Sequence, residues 1–294
     1  MAALMGLYPQ PNHWQCGPFA LKHALVTLGI FADEKSITKI AGANWWYGTD
    51  EIQLSKASKH FGCKLLMFRR HDAERARKEL SDYLRRGIPT LLCVRRWGHW
   101  VTAVKVERGK FIILDSSNKS ILTILTWGQL KKWWVYKERD ELDRSFTRTI
   151  YDFHPIVPRF RVKTKARFSL LRARYLRRVE NRTLTLHWDQ YMSDLLTLCK
   201  PRTALSENVF SLGEFFRRHQ TLILDQVAYW HGAINKGKAK RILNHMHFIA
   251  DTYGLIIHEG DEKRAIAGIT AILSFWAAGR FGVNPVYETG KRKR

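Results

Sequence analysis

Four side chains stand in an order that suits acyl transfer through sulfur: Gln10, then Cys16, then His99, then Asp115. A free thiol is only slightly ionised at neutral pH, so a chain that attacks with one must favour the thiolate and supply a base. An imidazole can take the proton, and an aspartate can hold that ring in one tautomer. A glutamine N–H six residues before the cysteine can donate to the oxyanion of a tetrahedral intermediate. Cys16 opens the run Cys16-Gly17-Pro18-Phe19-Ala20-Leu21. The helical spacing of Leu21, Ala24, Leu25 and Leu28 predicts a helix over 15–29, stopped by Gly29. The thiol then sits on a first turn, where unpaired N–H groups favour an anion.

Bringing His99 and Asp115 together is the work of a hairpin. Residues 99–107 and 110–115 read as two strands joined by Arg108-Gly109. His99 begins the first and Asp115 ends the second, so antiparallel pairing sets them side by side, with paired α-carbons on the order of 5 Å apart. Before the hairpin the pattern gives short helices over 33–41 and from Thr49, as N-cap, to Gly62. A strand over 64–69, a charged helix over 72–86 and an apolar strand over 89–95 follow. The aromatic loop Gly42-Ala43-Asn44-Trp45-Trp46-Tyr47-Gly48 can line a substrate groove or plug the core, and the plug is the preferred reading. After Asp115 come a strand at 121–125, a helix at 126–134 and a last strand at 148–155.

The remainder reads as helices over 185–199, 211–230, 240–253 and 262–280, a small bundle. Residues 265–279 carry no charge. They fall short of the ~20 residues needed to span a bilayer, and a buried bundle helix is expected rather than a transmembrane segment. Three regions result: an α+β domain over 1–156, a basic linker and helix over 157–180, and a helical domain over 181–294.

The chain has 294 residues, 45% of them hydrophobic, enough for a sizeable core. Its four cysteines show no Cys-x-x-Cys pair, which argues against a disulfide framework or structural zinc and fits a reducing, cytoplasmic setting. No secretory signal is visible at the first residues. The net charge of +24 attracts nucleic acid, anionic surfaces or acidic proteins without choosing among them. Its densest stretch, Arg159 to Arg178, holds nine basic residues and no acid, with Phe160, Phe168 and Tyr175 interleaved. That strip is either a solvated face or an anion-binding surface for nucleic acid or an acidic protein. His187, Asp189, His245, His247 and Asp251, with Asp225 and His231 on another helix, raise the thought of a metal across helices, but without an adjacent His-Asp pair or a Glu-x-x-His they are read as ordinary packing or surface residues, and no metal or cofactor is expected.

Residues 8–156 resemble the papain-like cysteine peptidases of the bacteriocin-processing, double-glycine-leader family and its soluble relatives. The resemblance rests on Gln10 before Cys16-Gly17-Pro18-Phe19-Ala20-Leu21, on Gly48-Thr49, on His99-Trp100-Val101 and on Gly109-Lys110-Phe111-Ile112-Ile113-Leu114-Asp115. It implies a papain-like fold, with the cysteine helix packed on an antiparallel sheet. It also implies roles: Cys16 as nucleophile, His99 as base and acid, Asp115 orienting the ring, and Gln10 as oxyanion donor. Gln15 stands where relatives often carry Asp, which makes it a rival for the oxyanion. Neither transmembrane helices nor a Walker loop accompany the domain, so cleavage of a leader during export does not carry over. The expected activity is a cysteine peptidase acting on a peptide or isopeptide bond, with the basic helical half recruiting a partner. The alternatives are a binding module on the same shell and an acyltransferase that hands the thioester to an amine.

Overall fold

The computed structural model describes residues 6–139, 147–162, 164–201, 208–231 and 235–281. The basic tract Lys291-Arg-Lys-Arg294 lies outside them, as does the His231 side chain. The chain divides into two compact units, Met1–Asp189 and Gln190–Arg294.

In the first unit α1 (Cys16–Thr27), α2 (Glu34–Ala41) and α3 (Glu51–His60) precede β1 (Cys63–Leu65), β2 (Phe68–Arg70) and α4 (Ala73–Arg85). Then come β3 (Thr90–Val94), β4 (His99–Glu107), β5 (Lys110–Leu114), β6 (Leu122–Thr126), α5 (Trp127–Trp134), β7 (Tyr136–Arg139) and β8 (Thr147–Pro158). Two short helices, α6 (Leu170–Leu176) and α7 (Arg182–Leu186), follow. The sheet runs β1-β8-β3-β4-β5-β6, every pairing antiparallel, with β2 and β7 also on β8.

Two apolar layers fix the sheet. On one side Ala20, Leu21, Ala24 and Leu25 of α1 pack with Leu91, Cys93 and Trp100. On the other, Leu80 and Leu84 of α4 and Leu130 and Trp134 of α5 pack with Val101, Ala103, Phe111 and Phe153. This is the expected α+β arrangement, with the cysteine helix laid on an antiparallel sheet.

Local chemistry sets the element ends. Gly29 closes the turn after α1 at φ +74°, a conformation open to glycine without a β-carbon clash. The N-cap of α3 is Asp50, not Thr49: its carboxylate accepts from Gln53 N at 2.7 Å, and Gln53 Oε1 accepts from Asp50 N in return, a capping box. The strand expected over 64–69 breaks into β1 and β2, which both pair with β8.

Two surface readings change. Trp45, Trp46 and Tyr47 are exposed, the first two stacked on each other, so the aromatic loop does not plug the core. Within the Arg159–Arg178 strip, Phe168 is buried against Trp188 and only Phe160 is freely exposed, so the aromatics do not form a continuous stacking face. The basic excess follows the fold: residues 1–189 hold 35 Lys+Arg against 17 Asp+Glu, and residues 190–294 hold 15 against 9.

The second unit contains α8 (Trp188–Leu198, which begins just before it), α9 (Leu212–Arg218), α10 (Gln220–His231), α11 (Lys236–Tyr253) and α12 (Glu262–Phe281). It is not purely helical, because β9 (Val209–Ser211) pairs with β10 (Ile256–His258). The uncharged stretch lies on α12, burying Ala265, Ile269, Leu273 and Ala277 at every fourth residue. No helix among the described residues is long and apolar enough to cross a membrane.

Candidate active site

Cys16 is the first residue of α1, buried to 7% exposure. Thr102 on β4 ties the helix down: its hydroxyl donates to the Ala20 carbonyl at 2.6 Å. Trp100 donates its indole N–H to Thr49 O at 2.9 Å, binding the loop before α3 to the same strand. A β-carbon on Gly17 would stand 2.9 Å from Thr49 Cβ, so glycine is required there for the helix start to approach this loop.

His99 opens β4. Its Nε2 lies 2.7 Å from Asp115 Oδ1, and the Cys16 side chain is its other hydrogen-bond partner. With Nε2 engaged by the carboxylate, Nδ1 is the nitrogen left for the sulfur. Burial works to lower the imidazole's pKa, but the hydrogen bonds to Asp115 and Cys16 outweigh it and lift it to about 9. Asp115 is fully buried. Burial alone would raise its pKa; the His99 ring and the Ser117 donors bring it down to about 2.

The sequence reading missed the residues that hold Asp115. Its Oδ1 also accepts from Ser117 N at 2.9 Å and Ser117 Oγ at 2.8 Å, while Oδ2 accepts from Asn118 Nδ2 at 3.0 Å and Arg95 Nη2 at 3.3 Å. The signal was present as Asp115-Ser-Ser-Asn118, an aspartate followed by donors at the spacing of an Asx turn. Arg95 belongs to the β3–β4 turn, where Arg95, Arg96 and Trp97 all take left-handed φ of 55°, 57° and 63°. Such residues cost on the order of 1–2 kcal/mol each. The turn is pinned by Arg95 N donating to Trp133 O at 2.8 Å and by Trp97 stacked on Tyr136 at 3.9 Å. Such strain persists only where the surrounding contacts over-determine the backbone.

Gln10 is fixed at both ends of its carboxamide. The oxygen accepts from Ser116 Oγ at 2.6 Å, and the nitrogen donates to the carbonyls of Asn12 and His13 at 2.9 and 3.1 Å. Its backbone N–H also donates to Ser116 O at 2.9 Å, lacing the segment before the cysteine to the residue after Asp115. Gln15 accepts from Asn12 Nδ2 at 3.1 Å.

His23 lies fully buried on α1; burial first, then Lys22, push its pKa down to about 3, so it stays neutral. Lys22 is itself buried, 3.1 Å from Glu34 Oε2 and 3.2 Å from Asp189 Oδ2. Asp189 is thus an ion-pair partner of the cysteine helix. His247 pairs with Asp251 at 3.0 Å on α11.

No protein-family model and no curated protein matches the chain. Solved structures do resemble it over about half its length. The peptidase domain of Streptococcus ComA, a bifunctional ABC transporter involved in quorum sensing, is 18% identical with a TM-score of 0.39, covering 52% of this chain and 98% of that one. A double-glycine motif protease from an AMS/PCAT transporter, solved with the leader peptide, is 15% identical with a TM-score of 0.37, covering 52% and 93%. A C39-like peptidase from Bacillus anthracis is 12% identical with a TM-score of 0.35, covering 53% and 95%. At such identities and scores the likeness decides nothing about chemistry, which has to come from this chain's own side chains.

Proposed function

We propose that residues 1–189 form a cysteine peptidase that cleaves a peptide or isopeptide bond through a thioester on Cys16. The observation that carries this reading is the His99 ring set between the Cys16 thiol and the Asp115 carboxylate. With its pKa near 9 the ring holds its second proton at neutral pH, so an imidazolium stands beside the sulfur, and the positive charge favours the thiolate that attacks. Sγ attacks the carbonyl carbon, the oxygen takes up the negative charge, and collapse breaks the C–N bond as His99 protonates the leaving amine. Neutral His99 then takes a proton from water, which attacks the thioester and releases the acid and the thiol.

Gln10 is assigned the oxyanion. Two adjacent carbonyls can share one N–H in a three-centre bond, which leaves the second N–H of Gln10 for the developing charge. Asp115 and its four further donors keep the imidazole in one orientation. The helical unit is assigned to recruiting a protein or peptide partner.

The test is a peptide library digested by the wild-type protein and by Cys16→Ala. New N-termini from the wild type alone support the reading, and cleavage by both or by neither overturns it. Including a free amine separates hydrolysis from transfer, since a transferase yields the amide instead of the acid.

A further inference from the structure

A polar cavity of about 240 Å³ lies beside the first turn of α1. Cys93 and Trp100 form part of its wall and belong to the same packed cluster as Cys16; across the β3–β4 ladder they pair one step from Val94 and His99. Thr49, which meets Gly17 of the cysteine helix, forms another part.

The charge of this cavity runs against the surrounding unit. Asp50, Glu51 and Asp152 line it against a single guanidinium, that of Arg69. Arg69 is spent on Asp152, its Nε and Nη2 each 2.8 Å from a carboxylate oxygen. Asp50 is engaged in capping α3. Glu51 makes no hydrogen bond or ion pair among the described residues and acts on Arg69 only through space, so three carboxylates share one guanidinium.

Two buried polar groups point the same way. His154, 5% exposed, has no partner for Nδ1, and Thr49, 7% exposed, has none for Oγ1 among the described residues. Burial holds the His154 imidazole below its usual pKa, so the ring is neutral and can accept. Tyr47 and Trp100 add aromatic surface, whereas Trp97 is stacked on Tyr136 and has the Arg69 guanidinium over its ring. A carboxylate, neutral acceptors and aromatic faces together suit a cation that carries N–H donors. An anion would meet Glu51, and an apolar group would leave the buried acceptors unpaired.

We propose that this cavity is a specificity subsite for a cationic substrate side chain, a lysine ammonium or arginine guanidinium, close to the bond that Cys16 attacks. The inference rests on the peptidase reading above. Most of the unit's surface repels a cationic peptide, so attraction confined to this cavity selects where along a chain the cation must stand.

The experiment is a competition among peptidyl vinyl sulfones, which trap a reactive thiol whether or not hydrolysis follows, varied in side chain at each position and read by mass spectrometry of the Cys16 adducts. Adducts enriched at least about tenfold for lysine or arginine at one position are expected, with the enrichment lost in Glu51→Gln and reversed toward acidic side chains in Glu51→Lys; ten-fold corresponds to about 1.4 kcal/mol. Adduct formation with no cationic preference, or a preference unchanged in Glu51→Gln, overturns the subsite and leaves the peptidase reading standing. Absence of any Cys16 adduct overturns the peptidase reading and the subsite with it.

Discussion

His99 and Asp115 lie on one face of the sheet because β4 carries one extra residue, Val104, where the β4–β5 ladder slips between Ala103 and Lys105. Counted from the Glu107–Lys110 pair, His99 is eight steps along β4 and Asp115 five along β5. An unbroken ladder would set them three positions apart, on opposite faces. Absorbing Val104 makes the difference two, so the side chains become diagonal neighbours and close to 2.7 Å.

Removing Val104 alone therefore leaves the pairing at the site end unchanged, at a cost of about 1–3 kcal/mol for a lost buried valine. Removing Val104 and Lys105 together makes the difference odd and turns Asp115 away from the ring. NMR titration of the His99 imidazole checks this: its pKa stays near 9 in the single deletion and returns toward the ordinary 6.5 in the double.

The raised His99 pKa sets an alkaline limit. A base whose folded pKa lies above its unfolded value adds stability that is full below about 6.5 and lost as pH rises to about 9. Denaturant melts of wild type and His99→Gln at pH 6 and pH 9.5 are expected to differ in their pH dependence by roughly 3 kcal/mol, because each pH unit between the unfolded and folded pKa is worth about 1.4 kcal/mol. Peptide cleavage should fall across the same upper range, because the leaving amine loses its proton donor. A wild-type stability no more pH-dependent there than that of His99→Gln contradicts the assignment.

Lys22 anchors the cysteine helix from its buried side. Lys22→Ala leaves the Glu34 and Asp189 carboxylates without their cation, and breaking such a buried pair costs about 3–5 kcal/mol. The expected result in thermal melts is a drop in Tm many times larger than that from Arg85→Ala, which removes only an exposed pair with Asp82.

Most of the fold was legible because periodicity and caps are local signals. The cysteine helix, the strand starting at His99 and the turn at Arg108-Gly109 appear where the residues place them. Thr49 and Asp50 are both good cap residues, and only the return bond from Gln53 singles out Asp50. The slip at Val104 left no mark, because a bulged valine looks like any other strand valine. Likewise, the hydrophobicity of the aromatic loop at Trp45 points inward, whereas Asn44 folds it outward by accepting from Trp46 N and Tyr47 N at 3.1 and 3.0 Å. The helix expected over 211–230 breaks at His219, whose ring nitrogen Nδ1 lies 3.0 Å from the Phe215 carbonyl.

Gln10 offers a separable role. If its N–H serves the oxyanion, Gln10→Ala lowers kcat by about 10²–10³ while leaving the rate of Cys16 alkylation unchanged, since alkylation forms no oxyanion. A matched Gln15→Ala variant is expected to keep near wild-type kcat; the reverse ranking transfers the role to Gln15.

Cys16 and Cys93 are equally buried, at 7% exposure each, which makes them a fair internal comparison of thiol activation. Burial pushes the Cys93 thiol well above its ordinary pKa and Cys63 up to about 11. The most direct measurement is iodoacetamide labelling of the native protein at pH 7, followed residue by residue by mass spectrometry. Modification of Cys16 at least about tenfold faster than Cys93 and Cys63, slowed in His99→Ala, is expected of a nucleophile activated by its imidazole. Labelling of Cys16 no faster than Cys93, or unaffected by His99→Ala, would contradict it.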